Sequence, residues 1–311
     1  MPGTFNVLHN LQVLDVSYHH LTRLVPGIGQ LSALRALDLF SNLLEVNITE
    51  AYFSKLTNLT YLDISHNSLS VILPNDWLPP FNANLIYMSS FGLSGNLLIW
   101  FLDFSKTLIL LLSHNNIDGS FPSFFCNLIY LQFLHLKHNN LSRRFLFFLK
   151  HYEQFVILGL SQNNLFDEIP TSVRENLLSL RILSLRSNLF YGLITVHIAN
   201  LTSFQDLDLS SNNFSSSIPS SLGNCTAMVE GLFFLNLSKN HLRGIIPENI
   251  RSMKQLDLSM NNLTGDIPSS FSFLSFLGHL ISLTITYQEE FQLPVVKDHP
   301  LSMTHQSMMP K

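Results

Sequence analysis

The chain has 311 residues, 46% of them apolar and only 12% charged, with a formal net charge of −4. A large core is available, but there is no basic excess and no run of five or six like charges, which argues against a nucleic-acid binder or a polybasic membrane patch. Two cysteines exclude a disulfide framework and a cysteine-type zinc site, and no window of ~18 uninterrupted apolar residues offers a membrane span.

In chain order, the N-terminal stretch Met1-Pro2-Gly3-Thr4 has neither a basic n-region nor an apolar h-region, so no signal peptide is legible. A pattern L-x-x-L-x-L-x-x-N then begins. Clear copies are Leu34/Leu37/Leu39/Asn42, Leu59/Leu62/Ile64/Asn67, Leu131/Leu134/Leu136/Asn139, Leu180/Leu183/Leu185/Asn188, Phe204/Leu207/Leu209/Asn212 and Leu232/Leu235/Leu237/Asn240. Weaker copies are Leu11/Leu14/Val16/His19, Thr107/Leu110/Leu112/Asn115, Phe155/Leu158/Leu160/Asn163 and Met253/Leu256/Leu258/Asn261. Proline gives an independent phase. Pro26, Pro74, Pro122, Pro170 and Pro219 are spaced 48, 48, 48 and 49 residues apart, two repeats of 24 each time. A further repeat must therefore lie between Asn67 and Asn115, with Ile86 and Met88 on the apolar ladder and Phe91 in the Asn slot. A register through Asn96 breaks the period. A degenerate unit, Leu280/Leu283/Ile285/Gln288, comes last.

One such repeat cannot bury its own apolar stripe, so neighbours must stack and share a core. The x-L-x-L-x segment reads as a short strand whose leucines point inward while the x residues line an open, concave face. The Asn is expected as a buried amide that satisfies backbone groups in the following turn. The expected fold is a leucine-rich-repeat solenoid, an α/β-type horseshoe, mostly β, with short helical or 3-10 turns and an irregular convex side. It spans residues 1–288 in about twelve repeats, followed by an irregular tail at 289–311.

The longer unit Asn261-Asn262-Leu263-Thr264-Gly265-Asp266-Ile267-Pro268 carries a G-x-I-P extension that resembles the plant-specific class of leucine-rich repeats. Leu178 to Asn188, Phe234 to Leu242 and Ile246 to Gln255 resemble plant receptor-like proteins, most nearly the receptors for fungal ethylene-inducing xylanase. That resemblance implies a cell-surface receptor on the extracellular side of the plasma membrane, in defence or developmental signalling, which binds a protein or peptide and signals through a partner receptor kinase. The chain departs from the family pattern by starting in mid-repeat, with no N-terminal cap, no signal peptide and no terminal span. A truncated or rearranged copy is expected on those grounds. A soluble inhibitor of polygalacturonase-inhibitor type and a non-functional gene fragment remain alternatives.

No nucleophile–base or phosphate-loop motif occurs, so neither catalysis nor a cofactor is expected. Asp15, Asp38, Asp63, Asp208 and Asp257 share one repeat phase, which explains their alignment without acid–base chemistry. The thirteen histidines give no metal site: His66 and His114 precede ladder Asn residues, while His135 and His138 flank Lys137. Cys126 and Cys225, about four repeats apart, are too distant to bridge. The residues expected to contact ligand are the concave positions of the middle repeats: His114, His135, Lys137, His138, Gln162, Arg181, Ser184 and Arg186. Downstream, Asp206, Asp208, Asn236, Lys239 and Asp257 make the same face more acidic, an arrangement able to orient a charged partner. Glycosylation sequons stand at Asn47, Asn58, Asn140, Asn200, Asn213, Asn224, Asn236 and Asn262.

Overall fold

The structure, a computed structural model, describes residues 8–74, 77–96, 104–121, 123–143, 152–169, 177–195, 198, 203–226, 234–250, 253 and 255–269. Eleven short strands form one parallel sheet in strict chain order. They are β1 (Val13–Asp15), β2 (Ala36–Asp38), β3 (Tyr61–Asp63), β4 (Leu85–Tyr87), β5 (Ile109–Leu111), β6 (Phe133–His135), β7 (Ile157–Gly159), β8 (Ile182–Ser184), β9 (Asp206–Asp208), β10 (Phe234–Asn236) and β11 (Gln255–Asp257). The register keeps each repeat in phase: Leu134 pairs with Leu110 on one side and with Leu158 on the other. The degenerate unit around Leu280 and the tail at 289–311 lie outside the described residues.

The phase inferred from proline holds. Ile86 pairs with Leu62 and Leu110, and Phe91 occupies the Asn slot, 1% exposed. Asn96 instead ends a strand of a second, small sheet made of Ser94–Asn96, Asn116–Gly119, Asn140–Arg143 and Asn164–Leu165. Short 3-10 turns start at or just after a proline at Pro26–Gln30, Ser123–Asn127 and Ser220–Thr226, and after Thr49, in the equivalent slot, at Glu50–Tyr52.

Two devices hold the stack. The ladder leucines, among them Leu37, Leu62, Leu110, Leu134, Leu158, Leu183, Leu207 and Leu235, form one continuous buried core. Each such side chain stabilises by about 1.5–3 kcal/mol through apolar burial. Burial declines at the ends of the described sheet, where Leu14 and Leu256 are only half-buried. The ladder asparagines supply the second device. Asn139 accepts the Ile117 N–H at 3.0 Å and donates to the carbonyls of Leu112 and Leu136, both at 3.0 Å. Asn67, Asn163, Asn188, Asn212 and Asn240 do the same. Each amide therefore satisfies backbone groups of its own turn and of the preceding repeat, groups that would otherwise be buried unpaired.

The residue before each Asn slot is left-handed in every described repeat. Tyr18, Ser41, His66, Ser90, His114, His138, Gln162, Ser187, Ser211, Lys239 and Met260 all have φ between 49° and 56°. None is glycine, although that region of φ favours it. The side chains lie where strand becomes turn, and most are exposed. This slot thus carries a non-glycine side chain at the cost of modest backbone strain.

Candidate ligand-binding face

Period-two alternation puts the residues flanking the ladder leucines on the sheet face opposite the core. The outer face carries two tracks. The first runs along the leading strand position: Tyr61, Leu85, Ile109, Phe133 and Ile157, continued by the half-buried Ile182. The first five are 2–7% exposed yet lie outside the core cluster. They shield one another along a continuous apolar row on the open face. Downstream the row turns polar at Asp206, whose carboxyl burial pushes above its ordinary range.

The second track holds the residues expected from sequence. His114 and His138 are exposed on neighbouring repeats, at the left-handed slot, with ring centroids 4.4 Å apart. Gln162 continues that line, half-buried, with its Oε1 enclosed and without a hydrogen-bond partner among the described residues. His135 and Lys137 are half-buried, as is Arg186, while Ser184 is 8% exposed and its Oγ lies 2.6 Å from the Ser161 hydroxyl. These seven occupy four adjacent strands, a span of roughly 14 Å at the ordinary strand spacing. Arg181 is exposed at the other end of its strand, five residues from Arg186 and therefore roughly 17 Å away along an extended chain. The structure does not bring it to the others.

The aligned acids have a structural role. Asp15, Asp38, Asp63, Asp208 and Asp257 each accept, through Oδ1, the N–H two residues on, at 2.9–3.0 Å. Asn236 does the same for Ser238 at 3.0 Å. This local carboxylate-to-amide bond is the familiar Asx turn. Burial, reinforced by the neighbouring Asp38, pushes the Asp63 carboxyl up to about 8 despite its bond to Ser65. The Tyr61 hydroxyl donates to Asp38 Oδ2 at 3.1 Å, and burial raises the phenols of Tyr61 and Tyr87. No group of three or more His, Cys, Asp or Glu residues able to hold a metal occurs among the described residues.

Sequence reasoning missed the apolar row, the uniform left-handed slot and the Asx bonds. The row was open to discovery: superposing the repeats one residue before each second ladder leucine gives Tyr61, Leu85, Ile109, Phe133, Ile157 and Ile182 as one column. The sequons Asn47, Asn58, Asn140, Asn213 and Asn262 are exposed, and Asn236 is half-buried. Asn200 and the side chains of Asn224 and Cys225 lie outside the described residues. Cys126 is a half-buried free thiol. No helix among the described residues is long and apolar enough to cross a membrane.

A family model described as Leucine Rich Repeat matches residues 58–78, 106–128, 203–225, 231–253 and 252–274. Among curated proteins, none matches the chain significantly. Among solved structures, the chain is similar to the leucine-rich-repeat ectodomain of the plant membrane receptor kinase GASSHO1/SCHENGEN3 from Arabidopsis thaliana, solved with CASPARIAN STRIP INTEGRITY FACTOR 2. The identity is 29% and the TM-score 0.74, covering 86% of this chain and 35% of that one. A TDR receptor matches at 28% identity and TM-score 0.76, over 85% of this chain and 45% of that one. The ectodomain of the Arabidopsis receptor kinase HAESA, solved with an N-terminally extended IDA peptide hormone, matches at 26% and 0.72, over 85% and 48%. The chain thus spans about a third to a half of the receptor structures it matches. Repeat motif, sheet topology and structural neighbours agree: this chain folds as a leucine-rich-repeat solenoid of the kind found in plant receptor ectodomains.

Proposed function

We propose that the chain is a ligand-recognition segment of a plant cell-surface receptor ectodomain, binding a peptide or protein on the open face of its main sheet without catalysis. The observation that carries this reading is the pairing of two tracks over β5 to β8. An almost fully buried apolar row forms the floor of this face, and His114, His135, Lys137, His138, Gln162 and Arg186 beside it supply directional polar contacts. Interfaces that combine a desolvated apolar strip with a polar margin are suited to peptide or protein partners. The occupied ectodomains of GASSHO1/SCHENGEN3 and HAESA, each solved with a peptide or protein factor, support the same class of partner. The repeat segments resembling the xylanase-receptor group favour a receptor-like protein in defence, acting at the plasma membrane with a partner receptor kinase.

Selection of binders from a random peptide library tests the reading. Phe133→Lys and Arg186→Glu are expected to abolish binding of most selected peptides, while Ile72→Glu, on an exposed residue away from the main sheet, leaves it unchanged. Binders that survive both sheet-face changes and fail on Ile72→Glu would place recognition elsewhere.

A further inference from the structure

A smaller apolar surface lies beside the turns, away from the main sheet. After each ladder Asn the chain runs on extended, and by period-two alternation its first, third and fifth residues share the outward side. These positions are polar in Asn116, Asp118 and Ser120, in Asn213, Ser215 and Ser217, and in Asn262, Thr264 and Asp266. After Asn188 all three are apolar: Leu189, Tyr191 and Leu193, 36–62% exposed. Phe166 of the preceding repeat, also exposed, adjoins them, because the Leu189 N–H bonds to the Leu165 carbonyl at 2.8 Å. Clustered exposed apolar side chains of this kind mark a surface that something covers.

The next repeat supplies the cover. Tyr191–Gly192 pairs in parallel with Asn213–Phe214, and the register sets Tyr191 directly against Asn213. The Ser215 N–H bonds to the Gly192 carbonyl at 3.1 Å, which sets Leu193 against Ser215. Asn213-Phe214-Ser215 is a glycosylation sequon, so its Asn and its Ser flank two of the apolar side chains. Asn213 and Ser215 are both exposed. At three other sequons in such extensions the register partner is polar: Ser70 for Asn47, Asp118 for Asn140 and Arg243 for Asn262. From this we infer that Asn213 carries a structural glycan whose first N-acetylglucosamine lies over the Tyr191 ring, with Leu189 and Leu193 at its margins. A pyranose has an apolar C–H face, which packs against the electron-rich face of an aromatic ring. Adjacent strands lie roughly 4.8 Å apart, a distance that one sugar on the Asn213 amide spans. Attachment joins the anomeric carbon to Asn213 Nδ2. That carbon's bond to the diphosphate of a lipid-linked sugar donor breaks, the lipid diphosphate leaves and the amide loses a proton. The inference rests on the cell-surface reading, since a secreted chain meets that donor, and adds to it a sugar that covers the scaffold.

The test uses the full chain, secreted from plant cells behind an added leader. Three forms are compared: intact, trimmed enzymatically to one N-acetylglucosamine per site, and Ser215→Ala, which keeps Asn213 but loses the sequon. Tetranitromethane nitrates exposed tyrosines. Peptide mass spectrometry then reads occupancy at Asn213 and nitration at Tyr191, with the exposed Tyr130 as reference. The expected result is an occupied Asn213 and a Tyr191 nitrated several-fold more slowly in the intact and trimmed forms than in Ser215→Ala. Asn213→Gln, which keeps Ser215, should lose the protection equally. Loss of the glycan should also lower Tm by about 2 °C, and by less where Tyr191→Ser is already present. Equal nitration of Tyr191 with and without the sugar would overturn the inference. Protection lost on trimming would assign it to the outer sugars and overturn the contact with the first. An empty Asn213 in a chain glycosylated at Asn47 would overturn the inference alone; sequons empty throughout would count against the cell-surface reading as well.

Discussion

Asp38 and Asp63 are directly paired in the parallel register of β2 and β3, and both are buried, at 1% and 6% exposure. Each has one oxygen committed to an N–H two residues on. Two carboxylates on adjacent strands with so little water cannot both ionise freely. The consequence is a proton held on Asp63, whose carboxyl titrates at about 8, chiefly because of burial and then because of Asp38.

That proton makes stability depend on pH. The folded value lies above the ordinary one, so the folded state binds more protons; stability is fully present below about pH 4 and is lost as pH rises through about 8. The expected outcome is a Tm that falls from pH 5 to pH 8 and falls less in Asp63→Asn, which keeps an oxygen for the Ser65 N–H. An equal slope in both proteins would show that Asp63 ionises at its ordinary value.

The ladder asparagines should be among the most sensitive polar positions. Asn139→Ala strips an acceptor from the Ile117 N–H and a donor from two carbonyls, all buried. A loss of about 2–4 kcal/mol is expected from denaturant unfolding, since orphaned buried groups cost more than the mean hydrogen bond contributes.

The two apolar rows should separate by assay. Leu134→Ala, in the core, is expected to cost about 2–5 kcal/mol. Phe133→Ala, one residue earlier on the opposite face, should cost less stability, because its neighbours on the open face can close over the gap, and should weaken binding of peptides selected on the wild-type chain. Equal loss of stability at both positions would assign the outer row to the scaffold.

Glycan occupancy is expected to follow side-chain availability. In chain material secreted from plant cells, peptide mass spectrometry should find glycans at the exposed Asn47 and Asn213 and none at Asn236, which is half-buried with its Oδ1 bonded to the amide and hydroxyl of Ser238. Occupancy at Asn236 would mean that this turn opens before folding is complete.

The repeat itself was determined by sequence alone. A 24-residue spacing of leucines, asparagines and prolines admits one way to bury the apolar stripe, so strand order, register, the Phe91 slot and the buried role of Asn139 all follow from local pattern and stacking. The cationic and histidine track was legible for the same reason, because period-two alternation says which side chains face outward. Tertiary structure decided what lies between repeats. The row from Tyr61 to Ile182 becomes a surface only when strands 24 residues apart in the chain lie side by side. Arg181 and Arg186, close in sequence, are parted because an extended strand carries them to its opposite ends. Which oxygen reaches which N–H across neighbouring turns, as the Ser65 hydroxyl does for the Ser89 amide, is a matter of distance and direction that residue spacing does not contain.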